Sequence, residues 1–198
     1  MKTLTLLITL FFISSSMAQM TKTEIEEHRT EHHEHLLDTA SHLLKLDEIE
    51  SFVGLDYFDF DSTFQINARF IKSKGKKFEM PTSTDRLPVY RRYGFIEFEI
   101  AAQTCTLEVY QNLALRKEKE FRKHLFIPFR DGTSRNETYG GGRFMDVEIP
   151  NGKTLEIDFN LAYNPYCAYS HRYSCPIPPE ANTLIIPIKA GEKTPMAH

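Results

Sequence analysis

"TFQINARF", Thr63 to Phe70, sets the fold class. Phe64, Ile66, Ala68 and Phe70 alternate with Gln65, Asn67 and Arg69. A two-residue period places all the apolar side chains on one face of an extended chain, so this is a half-buried strand. Downstream, similar runs occupy Lys77–Thr82, Leu87–Tyr93, Phe95–Ala101, Thr104–Tyr110, His124–Phe129, Arg143–Ile149, Thr154–Asn160 and Thr183–Lys189. Their connections are short and rich in Gly, Pro, Asn and Asp, the residues that turn a chain. Too few helical patterns separate the strands for a parallel α/β sheet. The expected fold is therefore mainly β, an antiparallel sandwich or barrel-like sheet with one or two N-terminal α-helices packed on it. No internal repeat is visible.

Upstream of Thr63 the period is 3.6. Thr23-Glu24-Ile25-Glu26 has the spacing of a capping box and predicts a helix starting near Thr23. Ile25, Arg29, Leu36, Leu37, Ala40, Leu43 and Leu44 would share one side of it. Asp47 is placed to cap a second short helix, Glu48 to Phe52, stopped by Gly54. The helical part thus covers about residues 23–53. Before it come Met1-Lys2, an apolar run from Leu4 to Ile13, and Ser16-Met17-Ala18. That order reads as a secretory signal peptide, residues 1–18. About ten apolar residues are too few to span a bilayer, which takes roughly twenty.

Removal of residues 1–18 leaves 19–198 as a single β-rich domain, long enough for a sizeable core. Its net charge moves from −3 to −4, because Lys2 is the only charged residue lost. The expectation is a soluble protein, exported to the periplasm or the extracellular space, with no stable membrane insertion after cleavage. A nucleic-acid partner is not expected, since such proteins carry a basic excess on one face. The basic clusters Lys72–Lys77 and Arg116–Lys123 read as solvated loops or edges. Nothing in the chain specifies an oligomeric state.

Pro150-Asn151-Gly152 suits a type I turn with glycine as the left-handed residue. A hairpin around it would set Ile149 against Lys153, Val147 against Leu155, Met145 against Ile157 and Arg143 against Phe159. The apolar residues then share one face, and Asp146, Glu148, Glu156 and Asp158 share the other. Arg143 falls on the core side, next to the glycines of "YGGGR", Tyr139 to Arg143. An inward guanidinium needs a carboxylate, carbonyl oxygens or an anionic ligand. Glu137 and Glu192 are candidate internal partners. The other reading is an anion site: Gly140, Gly141 and Gly142 let backbone N–H groups approach a ligand while the Arg143 fork grips it.

"YNPYCAYSHRYSCPIPP", Tyr163 to Pro179, is too proline-rich for a helix or central strand and too aromatic for a solvated linker. It reads as a pinned loop forming one wall of a pocket. The proposed ligand-contacting set is Tyr139, Gly140, Gly141, Gly142, Arg143, Asn160, Tyr163, Asn164, Tyr166 and Tyr169. Cys167 and Cys175 would most simply form a disulfide in an oxidising compartment. Free buried thiols are a second reading. A nucleophile or metal site built from Cys167, His171 and Cys175 is a third, although zinc normally takes four ligands. Cys105, in an alternating strand, reads as a buried free thiol.

His28, His32, His35 and His42 line one flank of the N-terminal helix with Glu24. Four-residue spacing can place two imidazoles on one ion, but solvated His/Glu helices are commoner, and no metal is assigned. His33 lies nearer the apolar side and should pack. No Gly-x-Ser-x-Gly elbow, His-Glu-x-x-His or EF-hand loop is present, and no cofactor is expected.

"ETYGGGRFMDVEI", "LEIDFNLAYNPYCAYSHRYSCPIPPEANTL" and "IKAGEK" together resemble the bacterial and archaeal domain-of-unknown-function sixteen-eighty-four family. The stretches "FVGLDYFDFD", "FEMPTST" and "LFIPFRDGTS" are similar to it as well, so the resemblance runs from about Glu24 to Lys193. It implies one domain and supplies no reaction. The functional expectation is an exported protein that binds a small anionic molecule without turning it over. Its rivals are a hydrolase-type enzyme using Cys167 with His171 or a bound metal, and an envelope protein-interaction module.

Overall fold

The computed structural model describes residues 19–195. The expected signal peptide, 1–18, lies outside the described residues. Helix α1 (Lys22–Leu37) does carry a capping box, but Thr21 sets it. The Thr21 hydroxyl accepts the Glu24 N–H while the Glu24 carboxylate accepts the Thr21 N–H at 2.7 Å. The helix stops at Leu37, short of the expected end, so Ala40, His42, Leu43 and Leu44 lie beyond it. His42 has φ 53, a left-handed conformation that no helix contains. Helix α2 (Leu46–Glu50) starts two residues before the expected position, its first N–H groups served by the Glu48 carboxylate, which accepts Lys45 N–H at 2.8 Å.

Seven strands follow: β1 (Gln65–Lys72), β2 (Lys77–Glu79), β3 (Val89–Ile100), β4 (Gln103–Asn112), β5 (His124–Phe129), β6 (Arg143–Glu148) and β7 (Thr154–Asp158). They form a curled antiparallel half-barrel in the order β6-β5-β4-β3-β1-β7, with β2 added on β3. The mainly β class is as the alternation implied. The runs at Leu87 and Phe95 fuse into β3, whose register shifts between Arg92 and Gly94. A side chain at Gly94 would place Cβ 2.5 Å from the Ile71 carbonyl oxygen, so only glycine lets β1 and β3 come this close.

Two sequence expectations fail here. The hairpin across Pro150-Asn151-Gly152 does not form a ladder: β6 pairs with β5, Arg143 opposite Phe129, and β7 pairs with β1, Asp158 opposite Gln65. The turn joins opposite ends of the strand order, a partner choice that a local pattern cannot contain. The facing was right nonetheless, because period two fixes the face whatever the partner. Thr183–Lys189 alternates in burial along its length yet makes no ladder. It runs beside residues 130–132 through Leu184 N–H to Arg130 O and Gly132 N–H to Ile186 O. Pro187 has no N–H to continue it.

One face of the sheet (Ile96, Leu107, Leu125, Ile127, Met145, Leu155, Ile157) is covered by Leu184, Ile186, Ile188 and Ala190 of the C-terminal segment. The other presents Tyr90, Tyr110, Phe126 and Phe144, covered by the 163–179 loop through Cys175, Cys167, Tyr163 and Tyr173. Both faces are therefore buried across β5, which reads as a continuous apolar run and not as an alternation. A third cluster ties Leu36 and Leu44 to Tyr169 and Tyr166, so the helical segment clamps the same loop.

Candidate functional site

The 163–179 loop is pinned, as its composition implied. Asn164 N–H donates to Glu192, and its side-chain amide donates to the Tyr169 hydroxyl at 3.0 Å and to Lys193 O at 2.7 Å. Ser170 hydroxyl donates to Glu48 at 2.7 Å, Tyr173 hydroxyl to Leu43 O at 2.7 Å, and Cys175 N–H to the Ser83 hydroxyl at 3.1 Å. Prolines 165, 176, 178 and 179 reduce the number of N–H groups that need partners.

The glycine turn meets this loop. Gly142 has φ +94, and a Cβ there would lie 2.6 Å from Phe129 O and 2.7 Å from Pro178 Cγ. At Gly141 a Cβ would fall 2.3 Å from the Tyr139 ring. The glycines are thus needed to let the Tyr139 ring fold back and the turn seat against Pro178. The Tyr139 hydroxyl then sits 4.0 Å from Cys167 Sγ. So the YGGG turn and the tyrosine-cysteine loop do come together, and what lies at their junction is a thiol.

Arg143 is not at that junction. It points inward, as its strand position implied, and only 1 % of it is exposed. Its fork is occupied within the protein: Nη2 donates to Asp131 Oδ1 at 3.3 Å and Ile188 O at 2.9 Å, and Nη1 donates to the carbonyls of Ala190 and Glu192. Asp131 also accepts Thr133 N–H and hydroxyl and Ile188 N–H. This corrects both the ligand-gripping role and the expected partners. The ion-pair partner is Asp131, while Glu192 contributes its backbone carbonyl and Glu137 pairs with Lys189. The sequence signal for Asp131 is only the turn "RDGT"; its long-range partner depends on the fold.

Beside this pair, Glu192 is wholly buried and its Oε1 has no partner. Burial pushes its carboxyl up to about 8, against the Asn164 hydrogen bonds and the nearby Arg143. With Asp131 already neutralising the guanidinium, Glu192 is held as the neutral acid at neutral pH. Asn160 is likewise internal, donating to Asp61 O at 2.9 Å and Asp158 at 2.8 Å. Surface depressions of about 470 Å³, lined by Phe58, Asp59, Phe60, Asp61, Ser62 and Lys189, and about 370 Å³, lined by Thr23, Glu26, Glu27, Thr30 and Glu31, both lie away from Arg143 and the glycine turn. The ten-residue set therefore divides. Tyr139 meets Cys167 and Gly142 sits against Pro178; Arg143, Asn160, Asn164 and Tyr169 (8 % exposed) serve the interior. Tyr166 packs at a tilt against Tyr173, ring centres 5.2 Å apart, and Tyr163 donates to Asp146, which also holds His124 Nε2 at 2.7 Å.

Cys167 and Cys175 are unbonded thiols in this structure, as is Cys105; the expected cross-link is absent from it. The pair is in contact: Cys167 N–H points at Cys175 Sγ at 3.3 Å. The adjacent Cys175 thiol, with lesser help from Tyr139 and Ser83, lowers Cys167 to about 6 despite burial. The neighbouring Cys167, with burial, holds the proton on Cys175 far above the usual thiol range. Cys167 is half-buried and Cys175 buried. His171 is exposed and has no contact with Cys167. On the helix, His32 bonds Tyr57 at 3.2 Å and is lowered to about 4 by burial and by its neighbouring histidines. His33 packs on Phe52 at 5.6 Å, as expected. His42 lies off the helix, so the four-histidine flank does not exist as a continuous face.

Fold and junction together define a small mainly β protein, a curled antiparallel half-barrel closed by a tyrosine-rich loop bearing two adjacent thiols. The chain belongs to the family described as protein of unknown function (DUF1684), whose model matches residues 50–193. It is also similar to an uncharacterized protein of Haloarcula marismortui solved in solution by NMR, at 32% identity over 89% of this chain and 95% of that one, with TM-score 0.67. No curated protein matches.

Proposed function

We propose that this is an exported thiol protein, periplasmic or extracellular once residues 1–18 are removed, whose Cys167/Cys175 pair reacts with small disulfide-bearing molecules. The observation that carries the reading is the contact of Cys167 N–H with Cys175 Sγ at 3.3 Å, which sets a second thiol beside a half-buried Cys167 at the Tyr139 junction. A thiolate whose pKa lies near ambient pH is the most effective attacking group in disulfide exchange. The ligand expected from the sequence was a small anion; with Arg143 satisfied internally, the junction offers a nucleophile in place of a cation.

The chemistry is balanced within the pair. Cys167 thiolate attacks one sulfur of R–S–S–R′, forming a Cys167 mixed disulfide and releasing R′S⁻. Cys175 then gives its proton to solvent and attacks Cys167 Sγ, expelling RS⁻. Two protein thiols are oxidised and one substrate disulfide is reduced. The resulting Cys167–Cys175 disulfide closes a loop of about eight residues, worth roughly 2.5 kcal/mol by chain entropy, so the oxidised form is also a stable resting state in an oxidising compartment.

Reaction of the reduced, folded protein with an aromatic disulfide reagent tests this. The wild type should release two equivalents of thiol and retain no adduct, Cys175→Ser should release one and retain a mixed disulfide at Cys167, and Cys167→Ser should react slowly. Equal reactivity of the two single variants, or wild-type protein that retains the adduct, rejects the reading.

A further inference from the structure

The fold gathers charge in a way that the chain order conceals. One end of the sheet is built from the β1–β2 connection with β2, the start of β3, the β4–β5 connection and the β6–β7 connection. These are residues 72–79, 89–92, 112–124 and 148–153. They carry twelve of the chain's 24 lysines and arginines against four carboxylates, although the chain's net charge is −3. The cations are also largely unneutralised. Among the described residues, only Arg92 of the twelve has a carboxylate within ion-pair distance, Glu108 at 2.8 Å. Lys72 and Lys74 lie over the Tyr93 ring at 5.5 and 5.4 Å, with their charge otherwise unmatched.

Apolar surface accompanies them. Val89 at the start of β3 is 41% exposed and Leu87 just before it 49%. Ile177, tied to Pro81 O by its N–H, is exposed beside them. Of the aromatics at this end, Tyr90 and Tyr93 are buried and Phe78 and Phe121 half-buried; none is exposed.

We propose that this end of the sheet is a docking surface for the anionic phospholipid headgroups of a membrane. Lysines interspersed with exposed aliphatic side chains suit the boundary between headgroups and acyl chains. Single-stranded nucleic acid is captured on exposed aromatic platforms, and here no aromatic ring is exposed. The attachment is peripheral, because no described helix is long and apolar enough to cross a membrane. It is also independent of the thiol pair.

Co-sedimentation of residues 19–198 with vesicles of 30% phosphatidylglycerol in phosphatidylcholine, at about 50 mM salt, provides the test. Each lysine near such a surface contributes about fivefold to partitioning. Lys76→Gln/Lys117→Gln, two exposed positions on the basic end, should therefore lower binding about 25-fold. Lys22→Gln/Lys45→Gln, with the same charge change on the helical segment, should alter it less than twofold. Binding by the wild type should collapse near 0.5 M salt. Equal losses in the two double variants, equal binding to pure phosphatidylcholine, or preference for an oligonucleotide over anionic vesicles at matched salt would each overturn the proposal.

Discussion

Replacing Glu192 with glutamine should make the protein more stable at neutral pH and leave it unchanged in acid. The carboxyl is fully buried, has one oxygen without a partner, and is raised to about 8 from 4.5. In the unfolded chain it ionises near 4.5. Between those values the native state holds a proton that the unfolded state has released, so stability falls as pH rises. The slope from this group is about 1.4 kcal/mol per pH unit, and the whole window is worth up to about 5 kcal/mol. The contribution is complete below about pH 4.5 and gone above about pH 8. Glutamine is neutral throughout and removes that slope. Urea denaturation of both proteins at pH 5, 6, 7 and 8 isolates the group, because every other titration is common to the pair. The stabilities should nearly coincide at pH 5, and the variant should lead by roughly 2–3 kcal/mol at pH 7. Parallel stability curves, or a variant that is less stable at every pH, would refute the claim that Glu192 is held neutral beside an Arg143 already matched by Asp131.

Arg143→Met should cost about 3–5 kcal/mol in urea denaturation, since it strands Asp131 and the carbonyls of Ile188, Ala190 and Glu192; a loss below 1 kcal/mol would return the residue to the surface. Gly142→Ala should lower stability by more than about 2 kcal/mol, because it combines a left-handed φ with backbone and Pro178 clashes. Its far-UV circular dichroism should stay β-rich, and an unchanged midpoint would contradict the geometry. Alkylation of reduced protein should follow the Cys167 thiolate with a midpoint at about pH 6. That midpoint should move up in Cys175→Ala, which removes the thiol that lowers it most; a wild-type midpoint near that of an ordinary thiol rejects the coupling of the pair.

Residues 63–70, 124–129, 143–148 and 154–158 show how far local pattern reaches. Pattern identified each as a strand, and in all but 124–129, where both faces are buried, period-two alternation assigned the apolar face, because side-chain direction in an extended chain is a property of the backbone alone. Capping chemistry found the helix start within two residues. Its end escaped, because Leu43 and Leu44 continue the apolar spacing while the chain has already turned at His42 to place Leu44 against Tyr169. The 163–179 loop was legible as an ordered element because its prolines and aromatics are incompatible with both helix and solvated coil.

The sequence by itself determined the strand-rich class, the inward direction of Arg143 and the ordered character of the 163–179 loop; each follows from the covalent chain and its nearest neighbours. Only the tertiary structure decided that Asp131 answers Arg143, that β6 and β7 part to opposite ends of the sheet, and that the glycine turn and two thiols eight residues apart arrive side by side. Those outcomes depend on which distant groups arrive at the same place. A buried charge takes its identity from whatever it is buried against, and no period in the chain encodes that neighbour.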